Sequence, residues 1–241
     1  MTHLEIGGFQ IELVRKNIRT LRLTVYAPDG KVRVAAPMRM PASTIEDFII
    51  ARQVWILKHQ AKFAARERPV AHAYVSGETH FYQGQGYELQ VLATTGRARV
   101  ALREELGQLE LHLPAESTAA QRQQHLVCWY RAQLKEQVPA LLAKWEPVVG
   151  KQATTWGVKQ MKTRWGTCNI QAKRIWLNLE LIKCPPRCLE YVVVHELVHL
   201  HERYHNARFW GFMDQFMPDW RTHKAELSQI TLGPAAGADA D

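Results

Sequence analysis

Cysteine is scarce. The 241 residues hold four (Cys128, Cys168, Cys184, Cys188), with no paired spacing. That excludes a disulfide framework and suits reduced thiols in a cytosol. Cys184 and Cys188 flank Pro-Pro-Arg, and without a second pair nearby they read as buried thiols at a helix start. No apolar run is long enough to span a membrane. The opening MTHLEIGGFQIELV alternates and carries acids, which is not the pattern of a signal peptide. A cytoplasmic chain with no membrane partner is expected. No GxxxxGK[ST] loop is present, so a bound nucleotide would not use that cradle. No internal repeat or low-complexity block is visible before the final residues. Acids are the minority, 23 against 31 Lys and Arg, for a formal charge of +8 and a pI near 9.4. An acidic partner such as nucleic acid or nucleotide phosphate fits that balance. A solvated basic sheet face fits it equally, because Arg15, Lys16, Arg19, Arg22, Lys31 and Arg33 interleave with apolar residues at strand spacing.

What is present is patterned. Leu4–Val14, Ile18–Tyr26 and Lys31–Ala36 read as strands, with Pro28-Asp29-Gly30 as a turn. Ser43, with Glu46 three residues on, reads as a capping box opening a helix over 43–65. Its apolar positions Ile45, Phe48, Ile49, Ile56 and Phe63 keep a helical period. Short alternating segments return between Val75 and Leu113, and their histidines, with His72 (His72, His80, His112), lack ligand spacing and read as incidental. Residues 1–115 are thus expected to form a β-rich N-terminal region with one long helix. After the boundary at Pro114–Ser117, Ser117 begins a second long helix carrying Leu126, Trp129, Tyr130, Leu134, Val138, Leu141, Leu142 and Trp145. Thr154–Gln160 and Arg174–Leu179 read as strands on either side of MKTRWGTC. Pro185 and Pro186 open a further helix, and Pro218 splits two shorter ones. Residues 116–231 are expected to form a second domain and 232–241 a disordered tail. The class is α+β.

The stretch from Val192 to Trp210 reads VVVHELVHLHERYHNARFW. On a helix His195 and His199 share one face, about 6 Å apart along the axis, so both imidazoles can meet one ion. Glu196 is adjacent, too short to share that ion and well placed to take a proton from water. Neutral imidazoles with an open coordination position make zinc the natural occupant. The preceding Tyr191–Val194 run suits a helix crossing a core.

His205 is the expected third ligand. On a continuous helix it would lie about 9 Å beyond His199 and about 120° round the axis. It reaches the ion only if the chain leaves the helix between Leu200 and Tyr204 and doubles back. A glycine usually makes that turn in zinc proteases with this spacing, and here Glu202 stands in its place. An ordinary residue in a costly conformation, or a looser loop, must serve instead. Glu226 and His223 are the alternative third ligands.

RWGTC at Arg164–Cys168, IWLNLELIKCPP at Ile175–Pro186, YVVVHELVHL at Tyr191–Leu200 and HNARFW at His205–Trp210 together resemble the YgjP-like metal-dependent hydrolase family. That family is a relative of the SprT-like and other zincin metallopeptidases. The early RKNIRTLRLTVYAPDGKVRVAAP stretch resembles its N-terminal part, so the likeness covers nearly the whole chain except the tail. It implies a zincin-like catalytic domain over 116–231, with the HExxH helix packed on a small mixed sheet. It also implies one zinc ion per chain on His195, His199 and His205, with Glu196 as catalytic acid/base. Where the family often has Ser-Arg-Trp-Gly-Ser, this chain has Thr163-Arg164-Trp165-Gly166-Thr167, which keeps the hydroxyls.

Arg164 is the candidate for stabilising an oxyanion or holding a carboxylate or phosphate, since its fork suits all three. The bland reading is that it braces the sheet with Trp165. Asn178 and Glu180 are candidate partners for a ligand imidazole, and Tyr204 could assist a tetrahedral intermediate. Two functions follow from one site. A metallopeptidase would use metal-activated water with Glu196 as general base and acid on a peptide. The alternative is a nucleoside triphosphate pyrophosphatase or phosphohydrolase using the same residues on a nucleotide, an activity also associated with the family. A nucleic-acid module with a closed structural zinc is disfavoured, because it has no use for Glu196.

Overall fold

Gly7 and Gly8 both take positive φ, 59° and 81°, and break the expected Leu4–Val14 strand into a hairpin. In the computed structural model, which describes residues 2–26, 29–64 and 72–230, this hairpin opens the first of two compact units. Its strands are β1 (Thr2–Ile6) and β2 (Phe9–Lys16), followed by β3 (Arg22–Tyr26) and β4 (Lys31–Pro37). The sheet order is β1-β2-β4-β3, with the central pair β2 and β4 parallel and both flanking pairs antiparallel. Alternation buries Phe9, Ile11 and Leu13 of β2 and Val32, Val34 and Ala36 of β4. They share a core with Ile45, Ile49, Ile56 and Phe63.

Those four lie on two helices, α1 (Ala42–Ile50) and α2 (Gln53–Ala64), where one helix over 43–65 is expected. Gln53 starts α2, and its Nε2 donates to Gly7 O at 3.3 Å, tying the restart to the hairpin turn. The Ser43 capping box does not form either. Pro41 is the N-cap, its backbone already extended at φ −57° and ψ 146°, which leaves Ser43 inside the first turn. Several early basic residues are engaged within this unit. Arg15 Nη1 donates to the carbonyls of Pro37, Met38 and Met40. Arg33 pairs with Glu12 at 2.8 Å.

The second unit begins with β5 (Thr79–Tyr82), β6 (Gln85–Ala93), β7 (Arg99–Arg103) and β8 (Gln108–Leu113). Their order, β5-β6-β8-β7, again has a parallel central pair and two antiparallel flanks. The correspondence extends to the turns. Gln83 and Gly84, φ 50° and 85°, match Gly7 and Gly8. The other hairpins pair Tyr26 with Lys31 and Arg103 with Gln108, and each ends its loop on a left-handed glycine, Gly30 or Gly107. A repeated backbone plan therefore exists where the sequence shows no repeat, since the two copies share turn geometry and pairing rather than residues.

Thr118, not Ser117, caps α3 (Ala119–Val149), forming a capping box with Gln121. Leu126, Tyr130, Leu134, Val138 and Leu142, four residues apart, form its buried stripe. One continuous core joins that stripe to Leu89, Leu109 and Leu111 of the β5–β8 sheet and to the valines of the histidine helix. The division expected at 115/116 thus falls inside a single core. Contacts divide the chain before residue 72, because β5–β8 buries its apolar face against α3.

A three-stranded sheet follows: β9 (Thr155–Lys159), β10 (Gly166–Asn169) and β11 (Arg174–Asn178). The central strand β11 pairs parallel with β9 and antiparallel with β10, leaving β10 as an edge. A 3-10 turn, Leu179–Lys183, leads into α4 (Pro186–Val198), with α5 (Ala207–Phe216) and α6 (Trp220–Gln229) packed against it. The entry to α4 is seated by the β5–β6 turn: Gln83 N–H donates to Ile182 O at 2.9 Å and Gly84 N–H to Lys183 O at 3.0 Å. A Cβ on Gly84 would stand 2.8 Å from Pro185 Cγ. Among the described residues no helix is long and apolar enough to cross a membrane. The tail expected at 232–241 lies outside the described residues.

Candidate metal centre

Pro186 occupies the first turn of α4, where its missing N–H costs nothing, and the buried Leu189 and Tyr191–Val194 drive the helix through the core. The helix ends at Val198 with His199 as right-handed C-cap. Tight bonds then unwind it, Leu200 N–H to Leu197 O at 3.0 Å and His201 N–H to Val198 O at 2.9 Å. No left-handed residue is spent on the turn: among described non-glycine residues only Tyr74, Gln83 and Lys173 have positive φ. The looser loop is the solution adopted. Glu202, standing where glycine is usual, organises it from both ends. Its carbonyl accepts from His199 Nδ1 at 3.1 Å, which turns His199 Nε2 inward, and its carboxylate accepts from the Tyr204 amide at 3.1 Å. The Tyr204 amide holds that carboxyl below its ordinary range. Asn206 follows as N-cap of α5, its side chain accepting from Phe209 N–H at 3.1 Å. His205 is therefore clamped between an ordered loop and a helix start.

The three imidazoles meet. Ring centroids are 4.9 Å apart for His195 and His199, 4.9 Å for His195 and His205, and 4.8 Å for His199 and His205. His195 Nε2 and His205 Nε2 stand 3.0 Å apart. Burial and the two neighbouring rings hold His195 well below the usual imidazole value, so it is neutral with a lone pair to give. Glu196 is 3% exposed, and burial pushes its carboxyl up to about 8 against the opposing charge of Arg164. Gly166, at the start of the edge strand β10, makes room for it: a Cβ there would stand 2.8 Å from Glu196 Cγ. Among the described residues Glu196 Oε2 and His195 Nδ1 are buried without a hydrogen-bond partner. A buried carboxylate oxygen left so is costly. Three nitrogen donors beside it form a set that fits a divalent transition ion.

The aromatic surround carries no role in the sequence reading. Phe209 is fully buried and packs against all three imidazoles at 4.9, 4.7 and 4.7 Å between centroids. Trp210 stacks on His205 at 5.5 Å and 19°, and Trp220 stacks on Trp210 at 4.7 Å. The available signal was HNARFW, in which Asn206 caps a helix whose first turn carries Phe209.

Several expected neighbours sit elsewhere. Asn178 is fully buried but does not orient an imidazole. Its Nδ2 donates to Met161 O at 2.9 Å and Arg164 O at 2.7 Å, and its Oδ1 accepts from the Glu180 amide. It braces the loop that carries Arg164. Glu180 pairs with Lys183 at 2.6 Å. Tyr204 is 65% exposed, with Arg203 over its ring. Of the alternative ligands, Glu226 is held by Arg187 and His223 by Asp219 at 2.9 Å. Cys184 and Cys188 are buried free thiols, and burial pushes both up, Cys188 to about 12.

A histidine helix crossing the core beside a small mixed sheet, with a loop returning a third imidazole, defines a zincin-like metallopeptidase fold. The family model described as YgjP-like, metallopeptidase domain, matches residues 19–230, and the chain belongs to that family. No curated protein matches it. The crystal structure of the metallopeptidase zymogen abylysin from Pyrococcus abyssi is similar over 38% of this chain and 91% of its own. Its sequence is 20% identical and its TM-score 0.35, too slight a likeness to bear on the site.

Proposed function

We propose that this chain is a zinc-dependent peptidase, with one ion held at this centre by His195, His199 and His205 and with Glu196 as the proton carrier. The observation that carries it is the convergence of three imidazoles beside a buried, unpartnered carboxylate oxygen. Zinc supplies there a Lewis acid that polarises a carbonyl and brings the pKa of water toward about 7. A cation held beside Glu196 would favour its ionised form against the burial that otherwise raises its pKa. The carboxylate then accepts the proton of the attacking water at Oε2 and passes it to the leaving amine. Arg164, close enough to Glu196 to act on its charge, is assigned the negative charge that develops on the substrate. Tyr204, at the exposed side of the loop, is assigned no step. The edge strand β10 begins beside Glu196, and an extended peptide could join the sheet along that edge. The free cysteines suit a reducing cytoplasm. The nucleotide reading has no comparable support, since Arg15 and Arg33, part of the basic stretch that suggested it, brace their own sheet.

The test is a screen of zinc-loaded protein against peptides and nucleoside triphosphates, with Glu196→Gln as the blank. Peptide cleavage that Glu196→Gln abolishes while keeping its zinc is expected. Peptide turnover at the wild-type rate in Glu196→Gln, or hydrolysis confined to triphosphates, refutes the proposal.

A further inference from the structure

His72, Glu78 and His80 form a second meeting of ligand-type side chains, within the second unit. Glu78 immediately precedes β5 and its carbonyl still accepts from Leu89 N–H of β6 at 2.8 Å, so the alternation of the strand puts it on one face with His80, two residues on. His72 is brought back to them by the turn at Tyr74, which takes φ 58° although it is not glycine. That conformation is held from two sides. The Glu78 carboxylate accepts the amides of Ala73 at 2.7 Å and Tyr74 at 3.0 Å, and Arg122 donates to Tyr74 O at 2.9 Å. His72 Nδ1 and His80 Nε2 then each stand 3.3 Å from one atom, Glu78 Oε2. The two rings stack at 4.3 Å and 29°.

One carboxylate oxygen thus faces an amide and two ring nitrogens. Its two lone pairs serve two donors well, and a third crowds it. A cation among the three side chains removes the crowding, because both nitrogens then offer lone pairs instead of competing as donors. The spacing agrees with that: ligand atoms about 2.0–2.2 Å from a tetrahedral centre stand about 3.3–3.5 Å apart. His80 is 4% exposed and fixed by packing, whereas the exposed His72 has room to rotate and close the remaining edge.

We propose that His72, Glu78 and His80 bind a divalent transition-metal ion, zinc by donor type, as a second metal site of this chain. Two imidazoles and one carboxylate suit zinc and offer too few oxygens for calcium or magnesium. The ion would fasten the segment entering the second unit onto β5, the strand whose hairpin turn seats α4. The residues escape a reading by spacing because a left-handed tyrosine, not a regular element, brings His72 back.

Untagged full-length protein is stripped of metal, reloaded with Zn2+, desalted and assayed by elemental analysis, with Co2+ absorption as the second readout. Wild type is expected to retain two equivalents, and His72→Ala and Glu78→Gln one each. His199→Ala should keep one equivalent that the additional change His72→Ala removes. The exposed position of His72 makes its variant the one that keeps its fold, checked by circular dichroism. Saturation of wild type at one equivalent, or two equivalents retained by both His72→Ala and Glu78→Gln, overturns the proposal.

Discussion

Gly166 and Glu196 claim the same space: a Cβ on Gly166 would stand 2.8 Å from Cγ and 2.9 Å from Cδ of the glutamate. The edge strand thereby sets where the carboxylate can sit. Gly166→Ala must push it aside while leaving the three imidazoles in place. Zinc content is expected to stay at the wild-type level and kcat to fall about 100-fold, the scale of a displacement near 1 Å. Steady-state kinetics beside metal analysis checks this, and an unchanged kcat would show that Glu196 has slack.

Trp210 stacks on His205 and is itself backed by Trp220. Trp210→Leu keeps an apolar side chain but removes the flat support of the third ligand. Zinc affinity is expected to weaken about 10–100-fold, the usual effect of losing a group that orients a ligand. Competition against a chromogenic chelator measures it, and unaltered affinity would assign His205's position to the loop alone.

Asn178 holds the loop carrying Arg164 through Met161 and Arg164 carbonyls. Asn178→Ala removes the donor from two part-buried carbonyls and should cost about 1 kcal/mol or a little more. Denaturant unfolding reads that loss. The accompanying expectation is a higher KM or lower kcat once Arg164 is no longer held, and a stability loss with full activity would separate Arg164 from the reaction.

Arg187 of α4 bonds Glu226 of α6 and holds its carboxyl below the ordinary range. A lowered folded value means the pairing helps above the unfolded pKa, near about 4.3, and is lost as pH falls through the folded one. Glu226→Gln should therefore melt slightly lower than wild type at pH 7, the effect kept small by solvent screening. The gap should close on acidification below about pH 4. Melting curves from pH 3 to 7 test the sign, and a gap that widens in acid would contradict it.

What could be read in advance was local. Amphipathic spacing placed α3, proline placed the start of α4, and HELVH placed His195 and Glu196 on α4 with His199 at its C-cap. The return of His205 was legible only as a requirement, because Glu202 satisfies it through its carbonyl and carboxylate rather than through a glycine's freedom. Features that depend on partners distant in sequence were not legible. The parallel pairing of β2 with β4 and of β6 with β8 joins strands about 20 residues apart, and no single segment signals it. Asn178 looked like an imidazole partner because a ligand imidazole ordinarily donates its other N–H to such a group. Its amide is consumed by the loop beside it.

In each four-stranded sheet the tightest hairpin presses on the entrance of a helix, Gly7 on Gln53 and Gly84 on Pro185. In the second sheet that helix carries HELVH, about a hundred residues downstream. A chain emerging from the ribosome therefore makes the abutment before it makes the beam that rests on it. An error at Gln83-Gly84 would be inherited by an assembly step that has not yet begun, and chemistry would fail although every histidine was intact.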